Sequence, residues 1–262
     1  MSPLLLALLG TGFTFAATAL GAAMVFFFKK DIPEKTNRAF LGFAAGVMIA
    51  AAIFSLILPS MEMAKAQWSA LPWLPAAVGF ALGVLFLLAL DELLPHLHPG
   101  STEAEGPKAR LKRTTLLVFA VTLHNIPEGL SVGLAFGLAG DAAGMPLSGA
   151  IALAIGMALQ NFPEGAAVAL PLKNEGASNR KAFLLGSLSG LVEPISGVIG
   201  VLLAQGVSTL MPWLLAFAAG AMLYVVVEEL IPEAHLGEHS NVGTISVMFG
   251  FLLMMVLDVA LG

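Results

Sequence analysis

Eight long apolar stretches constrain the fold of this 262-residue chain more than any other feature. Each is about 18–25 residues long, the length that a helix needs to cross roughly 30 Å of hydrocarbon. The predicted spans are 3–28, 39–60, 73–94, 114–138, 147–171, 182–206, 213–231 and 242–261. The sequence therefore predicts an all-α polytopic membrane protein with eight transmembrane helices, forming a single domain over residues 1–262.

The composition agrees with this prediction. Hydrophobic residues make up 58% of the chain and charged residues 11%, and the mean hydropathy is +0.92, which no ordinary soluble domain reaches.

The first span has no basic segment before it and is followed by Lys29 and Lys30, so we interpret it as a retained span rather than a signal peptide. The absence of cysteine excludes disulfides and thiolate metal sites. No basic stripe suggests a nucleic-acid partner.

Basic residues indicate the orientation, because Lys and Arg collect on the cytoplasmic side of a membrane protein. Eight spans place eleven of the twelve basic residues on one side and only Lys65 on the other. Both termini are therefore predicted to lie outside. The longest loop, about 95–113, is predicted to be cytoplasmic and is the only stretch with linker character.

Two related motifs lie in the middle of adjacent spans: H-N-I-P-E-G at His124–Gly129 and Q-N-F-P-E-G at Gln160–Gly165. A carboxylate at the bilayer centre costs roughly 2.5–3.5 kcal/mol on the insertion scale, so its presence in two spans needs a functional reason. The similarity extends beyond the hexamer. Asn125, Pro127, Glu128, Gly129, Val132 and Leu134 recur as Asn161, Pro163, Glu164, Gly165, Val168 and Leu170.

The spacing of the first motif aligns polar groups, because helical residues three and four apart share a face. His124 and Glu128 are predicted to point the same way, with Asn125 within reach. The second motif repeats this pattern with Gln160, Asn161 and Glu164. If the two faces meet, they enclose carboxylate oxygens, amide oxygens and an imidazole, which are ligands for a divalent metal. His124 alone would be read as a hydrogen-bonded interior histidine, but Glu128 and the repeated motif favour metal binding.

The motif prolines add a backbone effect. Each lacks an N–H, which leaves the carbonyl of Leu123 or Leu159 without its helical partner. A free carbonyl at membrane depth must be satisfied by protein, water or an ion.

A third carboxylate, Glu193, lies near the centre of the sixth span and is followed by Pro194. Three ionised, unpaired glutamates would cost roughly 8–10 kcal/mol, and no Lys or Arg within a span can pair with them. The sequence therefore indicates that metal ions or protons neutralise them. Glu193 has the alternative role of a protonated packing or proton-relay residue.

These residues resemble the ZIP (Zrt/Irt-like) family of divalent metal transporters, and bacterial members most closely. The resemblance covers all eight spans, the two motifs and the acid in span 6. It implies a 3+2+3 helix arrangement, a binuclear site at the midplane, and inward movement of Zn²⁺ or of Cd²⁺, Fe²⁺ or Mn²⁺. It also implies a homodimer in the bacterial inner (plasma) membrane, in which spans 1, 4, 5 and 6 move against the other four.

The resemblance also implies two sets of ligands, bridged by Glu128 and Glu164. The first comprises His124, Glu128, Gln160 and Glu164, with Met48 and Glu193 nearby. The second comprises Asn125, Glu128, Asn161, Glu164 and Glu193. Gln160 stands where many relatives have histidine, so the first site is expected to bind zinc more weakly or less selectively. A packing role is the alternative for Met48.

The inner ends of spans 3 and 7 both carry acids and histidines, at 91–98 and 228–235. They are predicted to share one side of the membrane and to form an exit relay for metal, with solvated helix ends as the alternative. The relay residues are Asp91, Glu92, His96, Glu229 and His235. At the outer side, Glu62, Asp141 and Asp258 are interpreted as ordinary surface acids, with the collection of cations as the alternative.

Two other functions compete with metal transport. An intramembrane metal-dependent hydrolase would need three fixed ligands, an open coordination position and a separate base, whereas the carboxylates here are symmetric and H-E-x-x-H is absent. A proton-coupled carrier of an organic cation would explain the glutamates but not His124, Asn125 and Asn161. The expected partners are divalent ions, the lipid bilayer and a second copy of the chain, with no cofactor besides the transported ion.

Overall fold

The structure is a computed structural model that describes residues 1–27, 33–93, 113–139, 145–174, 176–235 and 241–261. Its long helices are α1 (Pro3–Phe26), α2 (Glu34–Gln67), α3 (Leu74–Leu93), α4 (Arg113–Leu138), α5 (Leu147–Asn174), α6 (Asn179–Gly206), α7 (Met211–Ala234) and α8 (Val242–Leu261). Seven are long and apolar enough to cross a membrane, and α4, with 26 residues, corresponds to the remaining predicted span. The described residues contain no strand. The prediction of an all-α polytopic membrane protein is confirmed.

Helix α2 extends well beyond its predicted span of 39–60, from Glu34 to Gln67. An apolar window identifies only the part of a helix that lies in hydrocarbon, whereas polar turns continue it at both ends. The first turn contains an ion pair between Arg38 and Glu34, four residues apart. The last turn contains a 2.6 Å pair between Lys65 and Glu62.

Prolines affect the helices in different ways. Helices α2 and α7 contain π-helical stretches at Ala52–Ile57 and Val226–Leu230, each ending two residues before a proline. A proline removes one backbone hydrogen bond and crowds the preceding turn, which accounts for the local widening. Helices α4 and α5, by contrast, continue through the prolines of their motifs.

Helix α6 is interrupted in the middle, which the sequence analysis did not predict. Its two halves are Asn179–Ser189 and Val192–Gly206, separated by a turn at Gly190 and Leu191. Glu193 therefore lies in the first turn of the second half. The N-terminus of a helix carries partial positive charge, so this position favours a carboxylate.

Glycines allow close helix contacts, most clearly between α4 and α6. A Cβ at Gly133 would collide with the backbone of Gly197, and one at Gly129 with the backbone of Glu193. Small residues at this spacing let helix backbones approach within a membrane. Because the contact positions rise together along both chains, α4 and α6 run parallel, and Glu128 is held beside Glu193.

The four closest helix pairs are α1–α5, α4–α6, α2–α8 and α3–α7. Helices α1, α4, α5 and α6 form one group, here called the motif bundle. Helices α2, α3, α7 and α8 form a second group, here called the flanking bundle. The two bundles meet mainly through α2 against α5 and α4 against α7.

Candidate metal site

Three carboxylates from the motif bundle lie in the interior of the protein. Glu128 on α4, Glu164 on α5 and Glu193 on α6 are 1%, 8% and 0% exposed. Glu128 lies close enough to interact electrostatically with both of the others. None of the three faces lipid.

Gln160 links the two motifs. Its Nε2 donates a 2.6 Å hydrogen bond to Oε2 of Glu128 and also contacts Oδ1 of Asn161. The side chain is fully buried. The face of α5 that carries the second motif therefore meets the face of α4 that carries the first, which is the condition that the sequence analysis set for a shared site.

Asn161 continues this network to the third carboxylate. Its Nδ2 donates to Oε2 of Glu193 at 2.8 Å and to the backbone carbonyl of Thr14 at 3.3 Å. Thr18 donates to the other oxygen, Oε1 of Glu193, at 3.3 Å. Helix α1 thus supplies part of the wall around Glu193.

Two threonines on α1, Thr14 and Thr18, border Asn161 and Glu193, and the sequence analysis missed them. Thr11, Thr14 and Thr18 are all buried. Their spacing of three and four residues places them on one helical face, and this pattern was available as a signal in the sequence. A hydroxyl face on an otherwise apolar helix indicates a polar interior surface.

Asn125 uses the break in α6. Its Nδ2 donates a 2.9 Å hydrogen bond to the backbone carbonyl of Ser189, the last residue of the first half of that helix. The carbonyl is available because the helix stops there and cannot supply its own donor. This contact fixes Asn125 with its amide oxygen directed elsewhere.

Four buried oxygen atoms in the motifs have no hydrogen-bond partner. They are Oδ1 of Asn125, Oε1 of Glu128, Oε1 of Gln160 and Oε2 of Glu164. An unsatisfied buried acceptor costs about 1–3 kcal/mol, and more when it is charged. Each of these oxygens belongs to a predicted ligand, and oxygen atoms of this kind coordinate divalent cations.

The predicted ligands do not yet surround one point. Among the described residues, no three His, Asp or Glu side chains are close enough together to hold an ion between them. Two amide groups account for the separation of these side chains, because Nε2 of Gln160 and Nδ2 of Asn161 point at the carboxylates of Glu128 and Glu193. In this arrangement, amide N–H groups occupy the directions in which the carboxylates would accept a cation.

His124 contacts the flanking bundle instead of Glu128. Its Nε2 lies 2.6 Å from Oε1 of Glu229 on α7, and both side chains are buried. The sequence analysis assigned Glu229 to an exit relay rather than to the site itself. The π-helical turn that contains Glu229 brings this residue to the first motif.

A small cavity lies beside this contact. Its volume is about 30 Å³, and its polar lining comprises His124, Glu164, Glu229 and Glu233. A cavity needs about 10–15 Å³ to hold one water molecule, so this one has room for a water or a dehydrated ion.

The other predicted relay residues are spread over the helix ends that the sequence analysis assigned to the inner side. Asp91 accepts a 3.1 Å hydrogen bond from the hydroxyl of Tyr224, and Glu92 is exposed. His235 is exposed and contacts the carbonyl of Ile231 and the hydroxyl of Thr244. His96 lies outside the described residues.

The remaining candidates have separate surroundings. Met48 is fully buried within the larger hydrophobic cluster. Asp258 accepts a 2.8 Å hydrogen bond from Ser55 and is 8% exposed, so its interpretation as an ordinary surface acid is wrong. The hydroxyl of Ser55 satisfies it inside the helix packing. Glu62 is exposed, and Asp141 lies outside the described residues.

Comparison with known proteins gives a consistent result. The family model described as "ZIP Zinc transporter" matches residues 100–258. The zinc transporter ZIPB of Bordetella bronchiseptica is 44% identical over 259 residues, covering 98% of this chain and 81% of the relative. The zinc transporter GufA of Myxococcus xanthus is 41% identical, covering 94% and 95%, respectively. The human zinc transporter ZIP11 is 37% identical, covering 98% and 97%, respectively.

Proposed function

Because the chain belongs to the ZIP zinc transporter family, we propose that it moves divalent metal ions into the cytoplasm through a binuclear site between α4, α5 and α6. Zinc is the cargo that we expect first, since the relatives are named as zinc transporters. Cd²⁺, Fe²⁺ and Mn²⁺ are further candidates. The chain is a membrane transporter rather than an enzyme.

The observation that carries this proposal is the set of four buried, unpartnered oxygens on Asn125, Glu128, Gln160 and Glu164. They lie on the two motif helices, close to a third buried carboxylate on α6. No Lys or Arg among the described residues forms an ion pair with the three glutamates. Metal ions would coordinate the unpartnered oxygens and neutralise the negative charge of the three glutamates.

Rotation of two side-chain amides would convert the present network into a set of ligands. A half-turn of the Gln160 or Asn161 amide replaces an N–H that faces a carboxylate by a carbonyl oxygen. The ion then occupies the space between that oxygen and the glutamates. Movement of His124 away from Glu229 would add an imidazole nitrogen to the first position.

The two proposed positions share ligands. The first ion would contact His124, Glu128, Gln160 and Glu164, with Met48 and Glu193 as additional neighbours. The second would contact Asn125, Glu128, Asn161, Glu164 and Glu193. Three carboxylates facing two divalent ions leave a formal charge of about +1, which nearby dipoles can accommodate. Neutral amide ligands suit a transport site, which must also release its ion.

The helix grouping supports movement of the motif bundle relative to the flanking bundle. The close glycine contacts of α4 with α6 hold the motif bundle together. At the interface with the flanking bundle, a Cβ at Gly156 of α5 would collide with the side-chain sulfur of Met254 on α8 rather than with backbone. A side-chain contact of this type can slide or rearrange more easily than tightly apposed backbones.

The inner end of the path would pass through the cavity beside His124 and Glu229. An ion that leaves Glu164 would meet Glu229 next, and Asp91, Glu92, His96 and His235 would receive it near the cytoplasm. This order gives the acidic helix ends a role in release. Both termini would lie outside, in a homodimer in the bacterial inner (plasma) membrane.

Purified protein in liposomes provides the test. Wild-type protein should carry zinc down its gradient to an internal indicator dye, whereas Glu164→Gln should reduce uptake to the level of empty liposomes. Glu62→Gln is the matched control, because it makes the same change at an exposed acid and should keep uptake. Wild-type protein that moves no divalent metal in either direction would overturn the proposal.

A further inference from the structure

A buried thioether lies next to the proposed first metal position. Met157 is fully buried on α5, three residues before Gln160, so the two side chains share one face of the helix. Its Sδ atom lies 3.9 Å from Nε2 of Gln160. The same nitrogen contacts Glu128, so the sulfur borders the network that joins the two motifs.

The position of Met157 along the helix matters for an entering ion. Helix α5 begins at the predicted outer side, so Met157 lies one turn closer to the outside than Gln160. It belongs to the larger hydrophobic cluster, together with Met48 and Leu153, which are also fully buried. An ion that reached Gln160 from this side would therefore meet buried side chains rather than bulk water.

The chemistry of sulfur predicts which metal ions this contact would favour. A thioether is uncharged and polarisable, and methionine adapts its shape through three rotatable bonds. Soft ligands favour soft ions, whereas carboxylates and carbonyls suit harder ions such as Mn²⁺. Because the chain has no cysteine, methionine is its only source of sulfur ligands.

We propose that Met157 is a specificity-determining residue, whose sulfur contacts an ion at the first metal position and favours soft divalent cations such as Cd²⁺ over Mn²⁺. The proposal rests on the proposed metal transport, because it adds a ligand to the same site. Gln160 connects ion binding to Met157. When its amide turns to offer Oε1 to the ion, Nε2 leaves Met157, and the sulfur can then contact the ion.

The first test compares cadmium and manganese uptake by the full chain in liposomes. Met157→Leu conserves volume and removes the sulfur, so it should fold with little change. We expect the ratio of Cd²⁺ to Mn²⁺ uptake to fall about fivefold, the change in equilibrium that corresponds to about 1 kcal/mol. Met222→Leu is the matched control, because Met222 is also fully buried but lies on α7, and its ratio should stay constant.

A spectroscopic measurement covers the case in which the leucine variant fails to fold. X-ray absorption of Cd²⁺ bound to the Met48→Leu protein reports sulfur in the first coordination shell, and Met48 can no longer supply it. A sulfur neighbour supports the proposal. A shell of oxygen and nitrogen alone, or an unchanged uptake ratio in a folded Met157→Leu protein that still carries zinc, overturns it. Loss of all metal transport in the wild type would instead refute the proposed function.

Discussion

His124 of the motif bundle and Glu229 of the flanking bundle lie 2.6 Å apart, measured between Nε2 and Oε1. This contact joins the two groups of helices at the position where metal is proposed to bind. It also occupies Nε2 of the imidazole. Binding of an ion through Nε2 of His124 and contact of that nitrogen with Glu229 are therefore alternatives.

Replacement of Glu229 should change metal affinity and transport in opposite directions. Glu229→Gln removes the carboxylate that competes for His124, so the zinc dissociation constant should decrease. Uptake should slow, because the released ion loses its next acidic contact. Equilibrium binding and liposome uptake measure the two effects. Glu228→Gln, an exposed neighbour, should change neither, and weaker binding by Glu229→Gln would contradict the prediction.

Replacement of Gln160 by histidine should alter metal preference. An imidazole suits zinc better than a neutral amide does, so Gln160→His should bind Zn²⁺ more tightly relative to Mn²⁺. We expect a change of about tenfold in the ratio, equivalent to about 1.4 kcal/mol. Competition binding measures it, with the exposed Gln67→His as the control. An unchanged ratio would mean that residue 160 does not contact the ion.

Asn161→Asp should make stability depend on metal. The new carboxylate would face Glu193, to which the Asn161 amide now donates at 2.8 Å. Without metal, loss of this donor should lower stability by about 1–3 kcal/mol. Bound zinc should restore this stability, because a ligand that binds only the folded state stabilises that state. Thermal unfolding with and without zinc tests this, and equal metal-induced shifts in Asn161→Asp and wild type would contradict it.

The exposed Asn174→Asp is the control for that measurement. It introduces the same charge at the end of α5, outside the site. Its thermal unfolding should match that of the wild type in both conditions.

Close packing between α4 and α6 gives a test of the fold. Gly133→Ala adds a methyl group where the backbone of Gly197 stands, so it should destabilise the protein by about 1–3 kcal/mol. Gly12→Ala adds the same group where no atom lies within 4 Å, and should have little effect. Thermal unfolding in detergent compares the two. Equal stability of both variants would show that the α4–α6 contact is looser than described.

Much of this architecture could be predicted from the sequence, because membrane helices follow directly from apolar length. The motif spacing also predicted which polar groups share a face within α4 and within α5, whereas the family resemblance added Glu193 to them. A helix of regular period fixes which residues share a face, but the sequence left open whether the two motif faces meet.

Contacts that depend on irregular backbone could not be predicted. The break in α6 frees the Ser189 carbonyl for Asn125, and the π-helical turn of α7 directs Glu229 towards His124. Neither irregularity has a fixed spacing in the sequence. Proline gave an ambiguous signal, because α4 and α5 continue through it, whereas α6 breaks just before Pro194.

The most direct measurement is anomalous X-ray diffraction from crystals of the protein grown with Cd²⁺, which locates bound ions without reference to the protein atoms. Binuclear binding predicts two adjacent peaks, both bridged by Glu128 and Glu164, with Glu193 on one of them. Glu164→Gln should remove or weaken both peaks. Cadmium found only at surface acids, with no peak in contact with Glu128 or Glu164, would contradict metal binding at the centre of the membrane.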